Sequence, residues 1–173
     1  AVLIGDVSGK GVPAALFMAM TRTLLRFAAP VCASPGLCLR RVNELLIPDN
    51  RTEMFVTVFY GILDIPSGRL QYSNGGHNLP YVLRADGRID VLARTGGTVL
   101  GRLDGIEFGT HEAVWGREES LLLFTDGVTE AMDARGELFG EDGLEATLSA
   151  CSGRAPGEIV RSIRDAVERH AGD

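Results

Sequence analysis

Residues 54–73 read MFVTVFYGILDIPSGRLQYS. Met54–Ile65 is an unbroken run rich in Val, Phe, Tyr and Ile, the pattern of a strand buried on both faces. Pro66-Ser67-Gly68 turns the chain and Leu70–Ser73 brings it back, so the segment reads as a β-hairpin. Further strands follow. Tyr81–Ala85 and Ile89–Ala93 flank Asp86-Gly87, a second hairpin signal, and Ile106–Trp115 and Leu121–Thr125 complete the set. On the N-terminal side, Ala1–Ile4 is a short apolar strand. Pro13 then sits where the first turn of a helix tolerates it. Ala14–Ala29 is apolar nearly all round, with Arg22 and Arg26 the main breaks, which predicts a buried helix. Ser34-Pro35 supplies an N-cap and first-turn pair for a second helix. In it Cys38, Val42, Leu45 and Leu46 keep helical spacing. A polar loop, Pro48–Glu53, ends this helical section. Two more helices close the chain, one near Gly140–Cys151 and one after Pro156 with Ile159, Ile163 and Val167 on a stripe. Helices, antiparallel strands, then helices make an α+β fold rather than a parallel βαβ array.

The 173 residues amount to about one domain. Apolar residues make up 45% and charged residues 23%, the balance of a globular protein. A formal charge of −6 argues against nucleic-acid binding and against attachment to anionic membranes. The longest apolar run, near Ala14–Met20, is far short of the roughly 20 residues of a membrane span. Asp6 and Lys10 interrupt the start, so it is not a signal peptide. Cys32, Cys38 and Cys151 form no paired motif and read as free thiols of a reducing, cytoplasmic compartment.

Chemistry has three candidate seats. The first is Gly5-Asp6-Val7-Ser8-Gly9-Lys10-Gly11, between a strand and a helix. Its spacing is one residue short of a P-loop, and Gly11 stands where the magnesium-binding Ser or Thr would be. Gly9-x-Gly11-x-x-Ala14 is nearer a dinucleotide fingerprint, but no ribose-binding acid and no second parallel strand follow. Asp6 at a strand end suits a hard divalent cation such as magnesium or manganese. The competing reading is that Asp6 caps the following helix. The second seat is Leu121–Glu130, where an apolar strand again ends in Asp126-Gly127. Two strand-end carboxylates are what a two-metal hydrolytic site uses, and here too helix capping is the alternative. The third is Asn74-Gly75-Gly76-His77-Asn78-Leu79-Pro80, where His77 serves either structure, through ring-to-backbone hydrogen bonds, or the site. Neither a nucleophile elbow nor a Cys–His pairing supports covalent catalysis.

Gly5–Ala15, the Asn74–Pro80 bend and Phe124-Thr125-Asp126-Gly127-Val128-Thr129-Glu130 together resemble the bacterial stage II sporulation E and RsbU-type serine/threonine phosphatases of the metal-dependent PP2C-like superfamily. The resemblance runs in order along nearly the whole chain and includes Phe59-Tyr60-Gly61, Leu100-Gly101 and Phe139-Gly140. It implies an α/β-β/α sandwich of two antiparallel sheets flanked by helix pairs, with two manganese or magnesium ions and a bound water that attacks phosphoserine or phosphothreonine. Asp6 would be the bridging metal ligand, Val7 would offer its backbone carbonyl, and Asp126 would be a second carboxylate ligand. The helix from Val12 resembles the family's regulatory helix. The implied substrate is a phosphorylated signalling protein such as an anti-sigma-factor antagonist. An attached sensor or receiver domain is the implied partner.

Two family carboxylates have no counterpart here: one in a Gly-Gly-Asp motif on a preceding strand, the other in an Asp-Asp-x-Thr motif near the end. The expectation is therefore a single phosphatase domain over residues 1–173 that lacks its first and last strands. Such a piece is expected to bind metal poorly, to have little activity alone, and to associate, as a homodimer for instance, through unpaired sheet edges. Gly116-Arg117-Glu118-Glu119 departs from the family's Gly-Asp pair as a harmless loop change. The alternative function is a catalytically degenerate, partner-binding adaptor of the same fold.

Overall fold

The computed structural model describes residues 1–48, 50 and 53–172. It divides into two compact units, residues 1–77 with 93–115 and residues 78–92 with 116–173. The loop expected at Pro48–Glu53 falls partly on residues 49, 51 and 52, outside the described residues.

In the first unit, β1 (Val2–Val7), β2 (Val56–Asp64), β3 (Arg69–Gly75) and β6 (His111–Val114) form an antiparallel sheet in the order β1-β2-β3-β6. The decisive hairpin is β2–β3, paired from Val58↔Gly75 to Asp64↔Arg69. The Gly68 N–H donates to the Asp64 carbonyl across its turn at 2.8 Å. Residues alternate across the sheet. Val56, Val58 and Tyr60 pack with the helices α1 (Val12–Ala28) and α2 (Pro35–Leu46) into one core, with Phe17, Leu25, Cys38, Leu39, Val42, Leu46, Leu100 and Phe108. Phe59 and Tyr72, of the other parity, stack with ring centroids 5.6 Å apart.

α2 is capped as its sequence predicts, the Leu37 N–H donating to Ser34 Oγ. Buried Asn43 ties α2 to the 101–103 segment: its amide donates to the Leu103 carbonyl at 2.9 Å and its Oδ1 accepts from the Gly101 N–H at 2.8 Å. Leu45, expected on the buried stripe, is 38% exposed. α1 departs further. Instead of an all-round buried helix, it buries only the stripe Ala14, Phe17, Thr21, Leu25 and Ala28, and leaves Val12, Leu16 and Phe27 66–81% exposed. The expected strand Ile106–Trp115 shortens to His111–Val114, and Thr110 just before it accepts the Gly36 N–H on its hydroxyl at 2.9 Å.

In the second unit, β4 (Tyr81–Leu83) lies between β5 (Ile89–Val91) and β7 (Ser120–Leu122), again antiparallel. Tyr81, Leu83 and Phe124 pack with Leu144 and Leu148 of α4 (Gly140–Ser149) and Ile159 and Ile163 of α5 (Pro156–Ala171), around Cys151. α5 starts at Pro156, with the Glu158 carboxylate accepting the Ala155 N–H, and ends at left-handed Gly172. The departure at residues 116–119 is built into the unit: Glu119 accepts the Gly116 N–H at 2.8 Å and pairs with Arg84 at 3.0 Å. Among the described residues no helix is long and apolar enough to cross a membrane.

The stripe on α1 predicts unequal costs at adjacent positions. Phe17→Ala should destabilise by about 3–5 kcal/mol and Leu16→Ala by no more than about 0.5 kcal/mol, read from denaturant midpoints. A second expectation concerns pH. Burial, helped by Cys32 beside it, pushes the Cys38 thiol from 9.0 up to about 12. The folded chain keeps this proton where the unfolded chain releases it. The contribution is whole below pH 9 and is lost as pH rises towards 12, so denaturation midpoints of the wild type should fall across that window more than those of Cys38→Ala.

Candidate active site

β1 continues past the expected Ala1–Ile4 through Asp6 to Val7, held against β2 by the pairs Asp6↔Thr57 and Val7↔Val56. Ser8 extends the pairing: its N–H donates to the Phe55 carbonyl and its hydroxyl accepts the Phe55 N–H, both at 2.9 Å. The chain then turns through Gly9 and Gly11, each at φ 82°, a backbone region that disfavours any side chain. α1 begins at Val12 with Gly11 as its N-cap and no side-chain capping bond. The capping alternative for Asp6 is thereby removed. Half-buried Asp6 instead accepts its neighbour's Val7 N–H on Oδ1 at 3.0 Å. Among the described residues Oδ2 accepts no hydrogen bond, so one carboxylate oxygen is fixed and the other remains open.

Asp126 follows β7 in the second unit. Phe124 anchors the strand end in that unit's core, its ring 5.8 Å from that of Tyr81. Thr125 is extended, and exposed Asp126 opens a single helical turn, α3 (Asp126–Thr129). The turn is closed by main-chain bonds, the Glu130 N–H to the Asp126 carbonyl at 2.7 Å and the Val128 N–H to the Thr125 carbonyl at 3.1 Å. No side chain caps it, so the capping alternative fails here as well.

The Asn74–His77 bend lies in the first unit with Asp6. His77 donates its N–H to Asn74 Oδ1 at 2.7 Å, and the Asn74 amide donates back to the His77 carbonyl at 2.9 Å. The Asn74 N–H is held by Thr95 Oγ1 at 2.8 Å. The bend is thus structural, but the ring bond is not to backbone. Buried His77 sets Nδ1 2.8 Å from Thr57 Oγ1, and Thr57 is the residue opposite Asp6. Sequence reasoning passed over Thr57, which lies 51 residues from Asp6 and within an ordinary strand pattern.

Asp6 with the Val7 carbonyl offers hard oxygen donors, the kind that magnesium and manganese take while keeping several waters. The donors fit such an ion in kind. Among the described residues no group of three or more His, Cys, Asp or Glu converges on one point. Every strand pairing among those residues is antiparallel, which leaves Gly9–Ala14 without the parallel βαβ frame of a dinucleotide site.

The family model for stage II sporulation protein E (SpoIIE) matches residues 1–173. Protein IcfG of Synechocystis sp. is 32% identical over 98% of this chain and 31% of its own length. The phosphoserine phosphatase RsbU of Bacillus subtilis is 27% identical over 96% of this chain and 49% of its own length. The chain thus spans between about a third and a half of the curated relatives it matches. Among solved structures, the PP2C domain of SiaA from Pseudomonas aeruginosa superposes with a TM-score of 0.81 at 19% identity, over 99% of this chain and 70% of that one. The catalytic domain of the serine/threonine protein phosphatase PstP, solved with two manganese ions, gives 0.68 at 14% identity, over 98% and 81%. The fold is therefore of the PP2C type, α+β with two antiparallel sheets and their helices, as the sequence led one to expect.

Proposed function

The chain belongs to the stage II sporulation protein E family, and from that membership we propose that it is a metal-dependent phosphoserine/phosphothreonine protein phosphatase domain. The observation that carries the proposal is Asp6: a strand-end carboxylate that caps no helix, has Oδ1 fixed by the Val7 N–H and Oδ2 open. In this reading Asp6 and the Val7 carbonyl hold one divalent cation, and Asp126 serves as a second carboxylate ligand. Manganese or magnesium, two ions in all, supplies a bound water of lowered pKa and screens the phosphate's negative charge. The chain's own part is to present its oxygens at fixed strand ends. Main-chain bonds on both sides of Asp126 and the β1–β2 ladder behind Asp6 limit the motion of those ends.

The proposed substrate is a phosphorylated signalling protein of the anti-sigma-factor-antagonist type, with cytoplasmic action and a sensor or receiver domain as regulatory partner. Similarity to a phosphoserine phosphatase that is about twice this chain's length supports this assignment. A partner-binding adaptor of the same fold is the second reading, favoured by the lack, among the described residues, of a group of three metal-ligating side chains.

The test is phosphate release from a phosphoserine protein in manganese, by the protein carrying whatever sequence its gene encodes on either side of residues 1–173. Release should depend on manganese. Asp126→Asn should lower it beyond the roughly 10- to 100-fold that loss of a supporting group costs. Absence of activity with either metal, in protein that is folded, would favour the adaptor.

A further inference from the structure

We infer that Thr57 and His77 are positioning residues for Asp6, joined by directed hydrogen bonds that run from the Asn74–His77 bend through the Thr57 hydroxyl to the main chain of the strand end. The inference rests on the reading of Asp6 as a metal ligand.

Among the described residues β1 pairs with β2, which supports it at Asp6. In an antiparallel pair, residues directly opposite share a face with their Cβ atoms about 5 Å apart. The Asp6↔Thr57 register therefore puts the two side chains on one face of the sheet, opposite the one that Val56 and Val58 turn to α1 and α2. Thr57 Oγ1 lies 3.4 Å from the Asp6 carbonyl and 2.8 Å from His77 Nδ1.

A hydroxyl has one proton to give. In the proposed chain that proton goes to the Asp6 carbonyl, which only accepts, and the 2.8 Å contact is then a donation from Nδ1–H to Thr57 Oγ1. The proposed chain therefore requires the ring form protonated at Nδ1. His77 is itself anchored: it is 5% exposed, exchanges two hydrogen bonds with Asn74, and through Asn74 is tied to Thr95. An immobile imidazole thereby fixes the hydroxyl, and the hydroxyl fixes the peptide whose two ends carry the Asp6 carboxylate and the Val7 carbonyl. This gives the third sequence motif a task in the site formed by the first. Groups that orient metal ligands in this way commonly set affinity.

The experiment is NMR on the chain, with manganese ion as the probe. Nitrogen-15 spectra of the His77 ring read which nitrogen carries the proton. Paramagnetic broadening on adding Mn2+ reads affinity even when it is weak. Nδ1 should be protonated in the unsubstituted chain. Thr57→Val should weaken manganese binding roughly 10- to 100-fold, while Thr57→Ser, which keeps the hydroxyl, should bind much as the wild type does. A thermal melt of each variant separates loss of fold from loss of positioning, and the ring measurement decides even if Thr57→Val does not fold. A proton on Nε2 alone, or unchanged manganese binding in Thr57→Val while Asp6→Asn loses it, overturns the inference. Unchanged binding in Asp6→Asn is a different failure: it removes the metal reading of Asp6, and the inference with it.

Discussion

The register of β1 on β2 is the constraint on which the rest of the site depends. Pairing Val2 through Val7 with Gly61 through Val56 puts Asp6 opposite Thr57 and leaves Val58 and Tyr60 facing the helices. A slip of one residue would turn every side chain of β1 to the other face, sending a carboxylate into an apolar core. The same core therefore enforces the register that presents Asp6. Val56 is held besides by reciprocal main-chain bonds with Leu100, at 2.9 and 3.0 Å. The strand end is fixed from its partner rather than from the glycine-rich turn that follows it.

Much of this was legible in the sequence, and the reason is range. The β2–β3 hairpin could be read because a β-rich run, a Pro-Ser-Gly turn and a returning strand are all local. Ser34 as the cap of α2 and the Ile159, Ile163, Val167 stripe of α5 are local too. The antiparallel pairing followed from the hairpins, and with it the failure of a dinucleotide reading at Gly9–Ala14. Asp6 and Asp126 stood out because each ends an apolar strand, and the structure removes the helix-cap alternative for both.

What could not be read depends on contacts distant in sequence. α1 is apolar on nearly every face, so no periodic break marks Leu16 and Phe27 as outward and Phe17 and Leu25 as inward; only packing against β2 and α2 decides it. The 106–115 segment looks like a long strand, yet only His111–Val114 pairs with β3, a limit that no local pattern marks. Thr57 had no local signal at all, since its role comes from a strand pairing and a bend that meet only in the folded chain. The sequence leaves His77 open between a structural role and the site, and the ring's partner is the side chain of Thr57, opposite Asp6, rather than backbone.

Anomalous scattering from manganese in crystals of the protein tests the central claim most directly. A manganese ion coordinated by an Asp6 carboxylate oxygen and by the Val7 carbonyl oxygen is the predicted result. Manganese bound elsewhere with Asp6 unliganded, or none bound in well-ordered crystals soaked with it, would contradict the account.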